Sequence, residues 1–235
     1  DYRTLSKINP GIIMISMPGF GSSGPHAGYM GNGPTIEGYS GLTSLTGYTD
    51  GVPRNSLNIW SDPVAGIHGA VAVGMALLQR EESGKGQSIE LAQSEALINM
   101  IGDAVLEYSA NGTARSPSGN EDLTMAPHGV YPCHGDDSWI SIAVATDNEW
   151  QTLCNVVGQE RWKRDGRFQT QDSRWRHRAE LDELLPRWTT HQNAWDLADR
   201  LQASGVAAAP VMGDDDLTVR DDLPTHGFHD TVDHP

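Results

Sequence analysis

The chain has 235 residues, 37% of them hydrophobic, which is enough apolar material for one or two modest cores. Its 31 acidic against 16 basic residues give a formal charge of −15, a balance that argues against nucleic acid or an anionic membrane as partner. No run approaches the roughly 18 apolar residues of a membrane span, no signal-peptide pattern opens the chain, and Cys133 and Cys154 read as two free thiols of a cytoplasmic protein.

In chain order, Ile12, Ile13, Met14 and Ile15 predict a strand that runs into the glycine loop Gly19-Phe20-Gly21-Ser22-Ser23-Gly24-Pro25. A helix over 35–45 follows, then a turn-rich stretch through Asp50-Gly51-Val52-Pro53. After Asp62-Pro63, the residues Val64, Ile67, Val71, Met75 and Leu78 recur at helical spacing. That helix should stop near Ser83-Gly84, where glycine supplies the left-handed C-terminal residue. A further amphipathic helix over 91–108 carries Leu97, Met100, Ile101, Ala104 and Val105.

Residues 111–123 lack periodicity and read as a linker. Beyond it, Val130-Tyr131 and the run 139–144 predict two strands joined by His134-Gly135-Asp136-Asp137. Helices over 148–157, 178–188 and 194–203 come next, the last ending at Gly205 before a short strand and Pro210. Arg161, Lys163, Arg164, Arg167, Arg174, Arg176 and Arg178 read as a solvated surface, and Trp162, Phe168, Trp175 and Trp188 as packing residues of this second unit.

The loop formally satisfies G-x-G-x-x-G, yet Pro25, Gly28, Gly31 and Gly33 keep the following chain irregular where a dinucleotide fingerprint must open a helix. Asp62-Pro63 has two readings. Asp at N-cap with Pro behind it is an ordinary helix start, and the same geometry favours an ionised carboxylate able to attack. His68, two turns on, reads as a packed or hydrogen-bonded helix histidine, and His128 as a residue at the junction between units. His226, His229 and His234 are too irregularly spaced for a metal site, so no metal is expected.

Taken in order, Ile8-Asn9-Pro10, the strand, Ser16-Met17-Pro18-Gly19-Phe20-Gly21, Ser40-Gly41, Asp62 with Gly66, and Arg80 followed by Ser83-Gly84-Lys85-Gly86-Gln87 resemble the class III coenzyme A transferases. Ala126-Pro127-His128-Gly129-Val130-Tyr131, the Arg167-Phe168 stretch and Gly205-Val206-Ala207-Ala208-Ala209-Pro210-Val211 extend the likeness over nearly the whole chain. The superfamily includes formyl-CoA and carnitine CoA-transferases and 2-methylacyl-CoA racemases. The resemblance implies an α/β fold: 1–112 as part of a Rossmann-like, CoA-binding large domain, 113–125 as linker, 126–211 as a smaller α+β domain, and 212–235 as the start of a return to the large domain. Since family members are considerably longer, the chain reads as a fragment lacking their N-terminal part.

The resemblance further implies Asp62 as the nucleophile, and Met17, Pro18, Gly19, Phe20, Gly21 and Gln93 as contacts for coenzyme A. Coenzyme A or acyl-CoA enters as substrate, with an acyl-CoA donor, a carboxylic acid acceptor and an interlocked homodimer. A racemase needs two acid/base groups flanking the carbon beside the thioester, and the positions matching that branch's His-Asp pair are Asn32 and Gly33. Racemase or epimerase activity is one alternative, and a non-catalytic fragment that mediates dimer assembly is another. Pro18-Gly19-Phe20 stands where formyl-CoA transferases resemble Lys-Gly-Tyr, and Met125-Ala126-Pro127-His128-Gly129 replaces their all-glycine loop, so formyl or oxalyl specificity is not implied.

Overall fold

Parallel strand pairing sets the plan of the first of two compact units, Asp1–Gly119. The computed structural model describes residues 1–56, 58–219 and 232. The first unit runs α1 (Tyr2–Ile8), β1 (Met14–Ser16), α2 (Gly33–Ser40), α3 (Leu42–Leu45), α4 (Ser61–Ser83), β2 (Ser88–Glu90), α5 (Gln93–Ile98), a 3-10 turn (Asn99–Ile101) and α6 (Gly102–Asn111). β1 pairs with β2 in parallel, with Ile15 opposite Ile89, so the chain between them must cross over, and α4 is the long leg of that crossover. Gly86 brings the two segments together: a Cβ there would fall 1.8 Å from the carbonyl oxygen of Ile12.

The predicted elements are mostly present, with breaks where the backbone changes hand or loses a donor. The strand expected at 12–15 forms at Met14–Ser16. The helix expected over 35–45 divides into α2 and α3 at Gly41, whose φ of 91° is left-handed. The helix expected over 91–108 is interrupted by the 3-10 turn. α4 ends as anticipated, on left-handed Gly84.

α4 also differs from the sequence reading in which face it buries. Val64, Ala65, Gly69 and Ala76 are buried, whereas Ile67, Val71, Met75 and Leu78 are each more than half exposed. The cause is close approach: a Cβ on Gly69 would fall 2.9 Å from Met17 Sδ and 3.4 Å from Ile15 Cδ1, so small residues line the contact with β1 and its loop. Length and composition alone would let this 23-residue helix cross a bilayer, with a mean hydropathy of 1.3 over 18 residues. The sequence shows no unbroken apolar run here because Gly66, His68, Gly69 and Gly74 interrupt it. A chain presenting that stripe to water should self-associate, and sedimentation over a wide concentration range should show a rising mass rather than a constant monomer.

The second unit begins at Asn120. Its order is β3 (His128–Pro132), β4 (Trp139–Ala143), α7 (Asp147–Val157), α8 (Glu160–Arg164), α9 (Gln171–Arg176), α10 (Arg178–Leu184), α11 (Pro186–Thr189), α12 (Ala194–Ala203), β5 (Ala207–Pro210) and α13 (Asp214–Val219). The sheet is antiparallel in the order β3-β4-β5, and the expected hairpin is present. α7 carries a full capping box, Thr146 with Glu149. Ile140, Ile142, Trp150, Leu153, Leu181, Leu197 and Leu201 fill the core, and Trp162 and Phe168 join it as expected. The helix predicted over 178–188 is split into α10 and α11, Pro186 sitting in the first turn of the second. Cys133 and Cys154 are free and buried, and burial pushes the Cys154 thiol up to about 12. The return segment expected over 212–235 lies, apart from 212–219 and Val232, outside the described residues.

One expectation for this unit is overturned. Arg174 is not part of a solvated basic surface but fully buried. Its Nε donates to the carbonyl of Ala126 at 3.0 Å and its Nη1 to that of Phe168 at 3.2 Å, with Asp147 Oδ1 2.8 Å away and the Trp150 ring 5.6 Å from the guanidinium carbon. Leaving a buried carbonyl without a donor costs about 1–3 kcal/mol. Arg174→Leu, which strands two, should therefore lower the unfolding free energy by about 2–6 kcal/mol in urea titration followed by tryptophan fluorescence. Asp147→Asn should cost less than about 1 kcal/mol, because Asp147 is half exposed and its pairing is screened.

Candidate functional site

The segment leaving β1 is fixed through its carbonyls. Leu91 N–H donates to Ser16 O, Gln93 N–H to Pro18 O and Ser94 N–H to Gly19 O, each at 3.0 Å. Gln93 Nε2 adds a bond to Met17 O at 3.0 Å, so Leu91 and the start of α5 together hold four successive carbonyls of this segment. By contrast the N–H groups of Gly19, Phe20 and Gly21 have no acceptor among the described residues. Gly21 is buried with φ +86°. Gln93 Oε1 is likewise buried without a partner among those residues.

Past the loop, Ser22 N–H donates to Glu90 Oε1 at 2.6 Å. That bond, together with one from the Ser22 side chain, holds the Glu90 carboxyl below the ordinary glutamate range. Phe20 meets Tyr39 edge-on at 5.0 Å and Tyr29 at 5.8 Å, while His26 lies 4.4 Å from Tyr29 and 5.4 Å from Tyr39. Half-exposed rings thus gather beside the loop, which no local sequence signal predicts.

α2 connects this loop to the start of α4. Asn32 and Thr35 form its capping box. A Cβ on Gly19 would lie 3.1 Å from Ile36 Cδ1, and a Cβ on Gly33 would lie 1.8 Å from Ile59 Cγ2 and 3.4 Å from Ser61 Oγ. One turn after Gly33, the buried Glu37 accepts from Trp60 N–H at 2.6 Å and from Ser56 Oγ at 3.1 and 3.2 Å. The turn it holds contains Ile59 at φ 49°, a left-handed conformation that β-branched residues seldom adopt. Glu37 was missed from the sequence. Its signature is a single acidic residue inside an otherwise small and apolar helix.

Asp62 is the second residue of α4, and the N-cap position is Trp60 without a side-chain cap bond, so the expected Asp cap is corrected. Its side chain is exposed in the first turn of a 23-residue helix, and no described residue donates to it or pairs with it. Ser61 beside it is fully buried, its Oγ without a partner among the described residues. The helix start places partial positive charge around this carboxyl, while the Asp62 and Val64 N–H groups are already bonded to Ile59 O and Trp60 O and Pro63 has none.

The remaining candidates have structural partners. His68 Nδ1 lies 2.8 Å from Val64 O, and His128 Nδ1 lies 2.6 Å from Asn120 O. Among the described residues no group of three or more His, Cys, Asp or Glu is placed to hold a metal ion. His226, His229 and His234 lie outside the described residues.

With a glycine loop, a braced crossover helix and an antiparallel second unit in place, comparison with known proteins decides the family. The model of CoA-transferase family III matches residues 1–235. The chain belongs to this family. It is 33% identical over 211 residues to the succinyl-CoA–D-citramalate CoA-transferase of Chloroflexus aurantiacus, covering 89% of this chain and 52% of that protein. It is 30% identical over 211 residues to the succinate–glutarate CoA-transferase of Agrobacterium fabrum, covering 90% and 52%. A solved CAIB/BAIF family protein from Brucella suis superposes with a TM-score of 0.87 at 30% identity, over 97% of this chain and 60% of that one. The chain thus spans about half the length of these two transferases.

The Glu90 contact titrates in a known direction. Because its folded pKa is depressed, its contribution to loop order is present above the ordinary value of 4.5 and is lost as pH falls through the lower folded value. The hydrogen-exchange protection factor of the Ser22 amide should fall in that window, and Glu90→Ala should remove the protection at every pH.

Proposed function

We propose that the protein to which this chain belongs transfers coenzyme A between carboxylic acids, with Asp62 as nucleophile. The observation that carries the reading is the exposed, unpaired Asp62 carboxyl in the first turn of α4, in a chain whose relatives are named as CoA-transferases. An Asp62 oxygen attacks the thioester carbonyl of the donor, the C–S bond breaks, and a mixed anhydride and CoA thiolate result. The thiolate then attacks the Asp62 carbonyl carbon of the anhydride, releasing the donor acid as carboxylate and leaving an aspartyl-CoA thioester. The acceptor carboxylate attacks that thioester, expelling the thiolate and forming a second anhydride. Attack of the thiolate on the acceptor's carbonyl yields the new acyl-CoA and restores Asp62. No net proton or electron is exchanged.

Each addition places negative charge on a carbonyl oxygen, which preorganised donors stabilise best. The unused N–H groups of Gly19, Phe20 and Gly21 supply such donors, and we assign them to the oxyanion or to coenzyme A. Met17, Pro18 and Gln93 support this loop through the bonds described above. Racemisation is disfavoured because Asn32 is committed to capping α2 and Gly33 has no side chain, so neither position of that branch's pair offers a proton-transfer group. From the family resemblance we also propose that the parent is a cytoplasmic homodimer.

Asp62→Asn tests the assignment in the full-length parent. The fold should survive, since Asp62 makes no cap bond, and transfer should disappear because an amide cannot form the anhydride. With succinyl-CoA as donor, hydroxylamine should convert Asp62 alone to a hydroxamate detectable by peptide mass spectrometry. Normal turnover in Asp62→Asn removes the assignment, and exchange of the α-proton without transfer favours a racemase.

A further inference from the structure

We infer that Glu37 is a positioning residue for the proposed nucleophile: by holding the Trp60 amide it fixes the turn from which Asp62 projects. The inference rests on the Asp62 reading and assigns Glu37 a role that nothing else in the site performs. Glu37 is 1% exposed, yet no cation pairs with it among the described residues. Instead its carboxyl oxygens face two donors in one loop, Trp60 N–H at 2.6 Å and Ser56 Oγ at 3.1–3.2 Å.

The Trp60 N–H precedes α4 and has no acceptor within the helix ladder, so an outside group must satisfy it. Two residues from Asp62, it is a handle on the first turn. The opposing constraint comes from Gly33, one turn earlier on α2, where the missing Cβ admits Ile59. Ile59 itself is held at φ 49°, a conformation it would leave if the turn were released. Between the strained residue and the nucleophile stand only Trp60 and Ser61, and Asp62 N–H bonds back to Ile59 O at 3.3 Å. Without Glu37 the turn relaxes and the carboxyl loses its place. The residue therefore acts on the rate of attack and leaves donor binding to the loop after β1.

The experiment follows the labelling of Asp62 by hydroxylamine in the full-length parent, with succinyl-CoA as donor. Misplacing a reacting group by about 1 Å costs about a hundredfold in rate, so Glu37→Ala should label Asp62 about a hundredfold more slowly at an unchanged half-saturating donor concentration. Glu37→Gln keeps an oxygen for the Trp60 N–H and should stay within about tenfold of wild type, with the exchange protection of that amide retained. Wild-type labelling in a folded Glu37→Ala protein overturns the inference while leaving Asp62 as nucleophile. Glu37→Gln labelling as slow as Glu37→Ala, with the Trp60 amide still protected, overturns it too, because the carboxyl would then be acting on substrate. If Glu37→Ala does not fold, Glu37→Gln decides: labelling and amide protection that change together, or both persist, support the inference, and a change in one without the other overturns it. Failure of wild type to label at Asp62 removes both readings.

Discussion

The parallel pairing of β1 with β2 is the constraint on which the first unit depends. Two parallel strands cannot be closed by a tight turn, so the chain must leave one end of the pair and come back at the other. α4 makes most of that return, about 34 Å at the usual helical rise for its 23 residues. Its start is therefore remote in sequence from both strands, and other segments must anchor it. α2 does so, touching the loop after β1 through Ile36 and the entry to α4 through Gly33 and Glu37.

Both units solve the same problem with a buried polar side chain. In the first, Glu37 gives an acceptor to an amide that the helix ladder leaves out. In the second, Arg174 gives donors to carbonyls at Ala126 and Phe168 that the sheet and helices leave out. Irregular backbone is costly to bury unless each group finds a partner. One guanidinium thus lets Ala126 and Phe168 lie inside the second unit, and one buried carboxyl ties an exposed turn of the first to the helix beneath it.

Much of this was legible in the residues. The β1 apolar run, the glycine loop, the exit of α4 and the hairpin are local patterns, set by periodicity and by glycine at left-handed positions. The buried face of α4 was not, because bulk and burial part company wherever a helix lies so close to a strand that only Gly69 or Ala65 fits. Arg174 sits among exposed arginines with nothing local to distinguish it. Glu37 has partners 19 and 23 residues away, so no window of helical length contains the pair. The aromatic group beside the loop draws Phe20 and Tyr39 from separate elements and is equally invisible to local spacing.

α2 also divides labour between its faces. Gly33 and Glu37, one turn apart, serve the turn before Asp62, whereas Ile36 and Tyr39 serve the loop and its rings. A change among Phe20, Tyr29 and Tyr39 therefore falls on the loop face of α2, and not on the face that holds the turn before Asp62. One helix can thus let its loop-facing residues vary while the residues that hold the turn stay fixed.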